Sequence, residues 1–206
     1  MKILKRTITK NENELLLYGE SFSINPKLII GVVHGDEPQG EKLINRYIEE
    51  TSSGMLFIPS LNPDGKILGT RTNSSGVDLN RNFPTKNWER TPKDRYYGGD
   101  TPESEVETRF LIDVIEEYKP SVILTLHTPY KIVNYDGPAK EVSENISKII
   151  DYPVEESIGY PTPGSFGTYA GVERNIPTIT LEMDEEEKFE ILYPKIKKIF
   201  EYLESL

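Results

Sequence analysis

Four short apolar runs constrain this chain more than anything else in it. They are KLIIGVV (Lys27–Val33), MLFIP (Met55–Pro59), SVILTL (Ser121–Leu126) and PTITLEM (Pro177–Met183). Each is too short to span a membrane as a helix. Each is rich in β-branched or large apolar residues and reads as a buried strand. Helical patterns separate them. Glu37–Glu50 carries Leu43, Ile44, Tyr47 and Ile48 at helical spacing, and Glu103–Tyr118 is amphipathic. Pro102 stands before the latter, where a missing N–H costs a helix little. Ala139–Ile150 predicts another helix, and Glu185–Leu206 a closing one. Strands alternating with helices predict an α/β fold: one domain, with a mixed twisted sheet and helices on both faces. A chain of 206 residues is long enough to bury such a core without cross-links.

There is no cysteine. A disulfide frame and Cys-based metal or redox chemistry are therefore excluded, and any metal must be held by His, Asp or Glu. The basic N-terminus, MKILKRTITK, is not followed by an apolar stretch of signal-peptide length. Together these features lead to the expectation of a cytoplasmic protein. The net charge of −10 argues against nucleic acid as a partner, because phosphate backbones would be repelled. No membrane partner is expected either. The acidic cluster Asp184–Glu187 reads as a solvated helix start.

From Asn62 to Thr101 the chain is polar and rich in Gly, Pro, Asn and Arg. Stretches of that length inside a compact domain are functional or disordered. Functional groups in α/β folds gather where strands end. Three capable side chains fall there: His34, His127 and Glu182. His34 and His127 are the only two histidines, and Glu37 follows His34 by three positions. Two imidazoles and a carboxylate suit zinc and leave a position for water. An isolated H-x-x-E is equally compatible with ordinary hydrogen bonding, and an isolated histidine with core packing. Spacing alone leaves those readings open.

A longer series of motifs bears on the choice. In order they are His34-Gly35-Asp36-Glu37, Asn62-Pro63-Asp64-Gly65, Arg71, Gly76-Val77-Asp78-Leu79-Asn80-Arg81-Asn82-Phe83-Pro84, Leu126-His127 and Leu181-Glu182. In this order the chain resembles the zinc metallocarboxypeptidases related to carboxypeptidase A, from about Leu28 to Met183. The resemblance implies that family's fold and one zinc ion on His34, Glu37 and His127. It implies Glu182 as the catalytic carboxylate, Arg71 as the group that polarises the scissile carbonyl, and Asn80 and Arg81 as the grip on a terminal carboxylate. Tyr160 corresponds to a mobile tyrosine that closes over substrate, with Tyr169 as the fallback. Asp36 is read as a partner that orients His34, and Asp78 and Asn82 as loop braces.

Two further segments, Val133–Ala139 (VNYDGPA) and Gly159–Tyr169 (GYPTPGSFGTY), resemble a bacterial branch of the family, the murein peptide amidase A type. Thr128-Pro129 after His127 points the same way. The branch implies a small murein-tripeptide-like substrate, cut between γ-D-glutamate and meso-diaminopimelate. Phe166 and Gly167 are then expected to line the pocket for the diamino acid. Three other readings stand beside it. One is a carboxypeptidase for C-terminal L-residues, and another is an N-acyl amino acid deacylase of the aspartoacylase type. The third is a binding module that has lost its chemistry.

Overall fold

The four apolar runs become the four central strands of the sheet. The computed structural model describes residues 1–20, 25–156 and 159–206. Its strands are β1 (Lys2–Ile8), β2 (Glu14–Gly19), β3 (Lys27–Ile30), β4 (Leu56–Ile58), β5 (Val122–His127), β6 (Ile132–Asp136), β7 (Val154–Glu155) and β8 (Thr178–Glu182). They form one mixed sheet in the order β1-β2-β4-β3-β5-β8-β6-β7. The central β4-β3-β5-β8 block is parallel. The β1–β2 hairpin joins one side antiparallel to β4, and β6 joins the other antiparallel to β8. The helices are α1 (Gln39–Glu50), α2 (Pro63–Leu68), α3 (Val106–Tyr118), α4 (Lys140–Ile150) and α5 (Phe189–Ser205).

Strand parity divides the core in two. Successive side chains on a strand point to opposite faces. Ile29, Leu124, Leu126, Ile179, Leu181, Val133 and Tyr135 meet Leu43 and Tyr47 of α1, Ile146 of α4 and Phe200 of α5. Leu28, Ile30 and Ile123 meet Phe110, Leu111 and Val114 of α3 on the other face. The expectation of helices on both faces therefore holds. Toward the C-terminal ends of β5 and β8 this second face stops being apolar. Thr125, His127, Thr180 and Glu182 occupy it there. That half of the face carries the polar site.

Two helix starts differ from the sequence reading, and one hairpin is new. The third helix starts at Val106, not near Glu103, and Pro102 lies in a turn before it. Asn82 is the reason. Its carbonyl accepts the Glu103 N–H at 2.6 Å and its side-chain oxygen accepts the Glu105 N–H at 3.2 Å. Those two bonds hold 103–105 against the loop. The closing helix starts at Phe189, because Asp184 turns the preceding chain by accepting the Glu186 N–H and pairs with Lys131 at 2.6 Å. The β1–β2 hairpin was not anticipated. Its first strand is exposed or half-exposed along its whole length, and its second buries only Leu15, Leu17 and Gly19.

One buried charge in this scaffold has an unfavourable setting. Glu107, in the first turn of α3, is 1% exposed, and its Oε1 has no partner. Its other oxygen accepts from Asn73 at 3.3 Å. Burial first, then the carboxylates of Glu105 and Asp64, push its carboxyl up to about 7. A folded-state value above the unfolded one penalises the charged form. The penalty is absent below the unfolded value of about 4.3, grows as pH rises from there, and is complete above about 7. Glu107→Gln is expected to stabilise the protein by on the order of 2–3 kcal/mol at pH 8. Denaturation at pH 8 and pH 4.5 checks this, the gain shrinking toward zero at the lower pH.

Candidate metal centre and its cavity

The site is built at the C-terminal ends of the parallel strands. β3 ends at Ile30, and the chain turns through Val32 to His34. Val32 has φ 50°, a left-handed conformation that a β-branched residue rarely adopts. Its carbonyl is held by the Asn62 N–H at 2.9 Å. Beside it Gly35 meets Gly65 backbone to backbone, and a Cβ at Gly35 would overlap the Gly65 carbonyl. The HGDE and NPDG segments thus support one another directly. His127 is the last residue of β5, and Glu182, the last of β8, lies opposite it in the parallel ladder.

His34, Glu37 and His127 come together. Their candidate ligand atoms all lie within 4.8 Å of one another. Glu37 stands between the imidazoles, its Oε1 2.9 Å from His34 Nδ1 and its Oε2 2.8 Å from His127 Nδ1. The Thr128 N–H also donates to Glu37 Oε2, at 3.3 Å. Two inward-facing nitrogens and a carboxylate form a donor set that fits a zinc ion with an open position. The charges of the cluster answer one another. Burial works to lower the His34 pKa, but the Glu37 and Asp78 carboxylates raise it to about 9. Burial likewise opposes ionisation of Glu37, yet the two histidines hold its pKa well below the usual range.

Asp78 does more than brace its loop. It has no exposed surface and stands 3.3 Å from His34 Nε2. It accepts the Arg71 Nε–H at 2.9 Å and the Asn80 N–H at 2.9 Å. The expectation that Asp36 orients His34 is therefore corrected. Asp36 is exposed, and the carboxylate behind the ring is Asp78. Asn82 is a brace as expected, donating to Gly98, Thr101 and Ser104.

A cavity of about 280 Å³ opens over the trio. Glu182, Arg71, Asn80, Arg81 and Tyr160 all line it. Glu182 is 8% exposed, and its Oε2 is buried without a partner. Burial is the main cause of its raised pKa. Asn80 is oriented by the Phe166 N–H, which donates to its Oδ1 at 2.8 Å. Arg81 bonds its own neighbour's carbonyl, Asn80 O, at 2.6 Å. Tyr160 stands half exposed at the rim. The fallback, Tyr169, lies in the core against Phe83 with Arg174 over its ring, outside the cavity. Phe166 is also a core residue, packed on Phe83, so of the two expected pocket residues only Gly167 lines the cavity.

The cavity holds residues that the sequence reading passed over. Tyr96 lies within 5.2 Å of the Arg71 guanidinium, 5.8 Å of that of Arg81 and 5.3 Å of that of Arg95. Asn134, Asp136 and Thr180 line its floor. No motif signals Tyr96 or Arg95. The floor residues could have been found by parity, had β6 been read as a strand.

Known proteins bear on this geometry. A family model described as zinc carboxypeptidase matches residues 25–152. Murein peptide amidase A of Vibrio campbellii is 36% identical over 172 residues, which is 76% of this chain and 68% of that protein. The protein of the same name from Escherichia coli K12 is 32% identical over 170 residues, 75% of this chain and 69% of that one. Among solved structures, the murein-tripeptide amidase of Escherichia coli O157 superposes with a TM-score of 0.84 at 27% identity. It covers 96% of this chain and 89% of its own.

The electrostatics of the trio carry a measurable consequence. Metal ligation needs a neutral imidazole, whereas the carboxylates around His34 keep it protonated up to about pH 9. Zinc binding at pH 7.5 is expected to release about one proton per ion. Calorimetric titration in buffers of different ionisation enthalpy reads this directly. A heat independent of buffer would mean that His34 is already neutral.

Proposed function

This chain belongs to the zinc carboxypeptidase family, and we propose that it hydrolyses the amide bond between γ-D-glutamate and meso-diaminopimelate in small murein peptides, with one zinc ion on His34, Glu37 and His127. The setting proposed for this reaction is the cytoplasm. One observation carries the chemistry. Glu182 brings a buried, unpartnered carboxylate oxygen into the same cavity as the His34–Glu37–His127 cluster. The substrate assignment is supported by the two murein peptide amidases above, which match across most of their length.

When bound, zinc supplies a Lewis acid and brings water toward ionisation near neutral pH. The chain's own residues do the rest. Glu182 takes a proton from the attacking water and delivers it to the leaving amine, so the products are a carboxylic acid and a free amino acid. Burial raises its pKa toward the working pH, where such a shuttle is most effective. Arg71 is locked through its Nε to Asp78, which points a fixed cation at the developing oxyanion. Asn80 and Arg81 grip the terminal carboxylate of the residue to be released. Tyr160 at the rim closes over the substrate.

The test uses zinc-loaded protein and L-Ala-γ-D-Glu-meso-diaminopimelate, with free diaminopimelate detected by mass spectrometry. The parent releases it. Glu182→Gln lowers kcat by roughly 10²–10⁴-fold while retaining its zinc. An intact tripeptide alongside brisk removal of ordinary C-terminal L-residues would sink the assignment in favour of a plain carboxypeptidase. Turnover of N-acetylaspartate alone would favour a deacylase, and tripeptide binding without turnover a binding module.

A further inference from the structure

The cavity floor follows the sheet. β6 and β8 pair antiparallel, with Ile132 opposite Glu182, Asn134 opposite Thr180 and Asp136 opposite Thr178. Directly opposed residues share a face, and so do residues two apart. Glu182, Thr180, Asn134 and Asp136 accordingly line one continuous wall. Asp136 stands four residues along β6 from the level of Glu182, roughly 13 Å of strand.

Asp136 is an unusual residue to find at the end of such a wall. Its neighbour Asn134 is engaged, donating to the Glu155 carbonyl at 2.8 Å. The Asp136 carboxylate is mostly buried, and among the described residues no donor or cation meets it. Burial alone accounts for its raised pKa of about 6, so at neutral pH it is charged and unanswered. Removing a charge from water without a partner is costly, and nothing in the packing calls for it. Gly167 closes over it from the other side. A Cβ at that position would overlap Asp136 Oδ2, so the roof reaches the carboxylate only because residue 167 has no side chain.

We propose that Asp136 is the specificity-determining residue of this cavity, binding a primary ammonium at the far end of the released residue's side chain. The inference rests on the reading above and adds to it the residue that recognises the side chain of the leaving diamino acid. With its terminal carboxylate on Asn80 and Arg81 and its amine facing Glu182, such a residue runs its side chain along the Thr180–Asn134 wall. Its ammonium then supplies the missing counter-charge. A cavity of about 280 Å³ suits one residue of this size.

The test is binding of free amino acids to the zinc-loaded protein, by calorimetry or by inhibition. L-Lysine and meso-diaminopimelate are compared with L-norleucine, which has the length and lacks the ammonium. The parent is expected to prefer lysine over norleucine by about 10–100-fold, the range for a hydrogen bond between charged groups. In Asp136→Asn the ratio collapses to within about 2-fold. This variant is isosteric and relieves a buried charge, so its melting temperature at pH 8 is expected to match or exceed the parent's. Gly167→Ala, which pushes a methyl group onto the carboxylate, lowers the same ratio from the opposite wall. Equal binding of lysine and norleucine by the parent, or an unchanged ratio in Asp136→Asn, overturns the proposal. Binding requires no bond to be cut. The ratio therefore tests Asp136 even if the tripeptide is left intact, while tripeptide cleavage without ammonium preference refutes Asp136 alone.

Discussion

A carboxylate with no exposed surface must be answered by donors, and Asp78 is answered from several directions at once. One oxygen takes the Asn80 N–H and faces His34 Nε2, and the other takes the Arg71 Nε–H. His34, Arg71 and Asn80 belong to separate segments of chain with separate tasks. Their mutual geometry is set because one buried anion is shared among them. Losing it would leave Glu37 as the carboxylate shared by His34 and Arg71 in a poorly solvated place. The loop from Gly76 to Pro84 contributes less as a surface than as the means of bringing this carboxylate inside.

Charge is sorted within the cavity even though the chain as a whole is acidic. Arg71, Arg81 and Arg95 gather around the Tyr96 ring at one end. Glu37 and Glu182 sit at the centre, and Asp136 lies at the far floor. The arginines suit a carboxylate, and Asp136 suits a cation. A small zwitterion with a cationic tail matches that order and a reversed one does not, so orientation is selected before any contact is made in detail.

Much of this was legible in the sequence, and what was missed has physical reasons. Parallel strands buried on both faces read as unbroken apolar runs, so β3, β4, β5 and β8 stood out. β6 did not, because alternate residues of IVNYD line a polar cavity and its pattern resembles a loop. With β6 unread, Asp136 counted only as a member of the VNYDGPA segment and had no wall to stand on. The clustering of His34, Glu37 and His127 was legible because they follow strand ends and sit in motifs. The Asp36 assignment failed because adjacency in sequence was taken for adjacency in space, whereas His34 turns its Nε2 toward a loop contributed from far along the chain. Phe166 and Tyr169 were misplaced for a related reason. Their segment is rich in aromatic residues, and composition does not say which rings face the core.

The contact between Gly35 and Gly65 bears on how such a centre can be altered. Each glycine lies in a different motif. Gly35 cannot accept a side chain while the Gly65 backbone stays where it is, and a side chain at Gly65 is stopped by Thr72 and Asn62 of its own loop. The two loops are therefore a single heritable unit in mechanical terms. Placing a side chain at Gly35 requires the Asn62–Gly65 segment to move with it. Variation is channelled instead to the rim and floor, where Tyr96, Tyr160 and Asp136 can be exchanged without moving this contact.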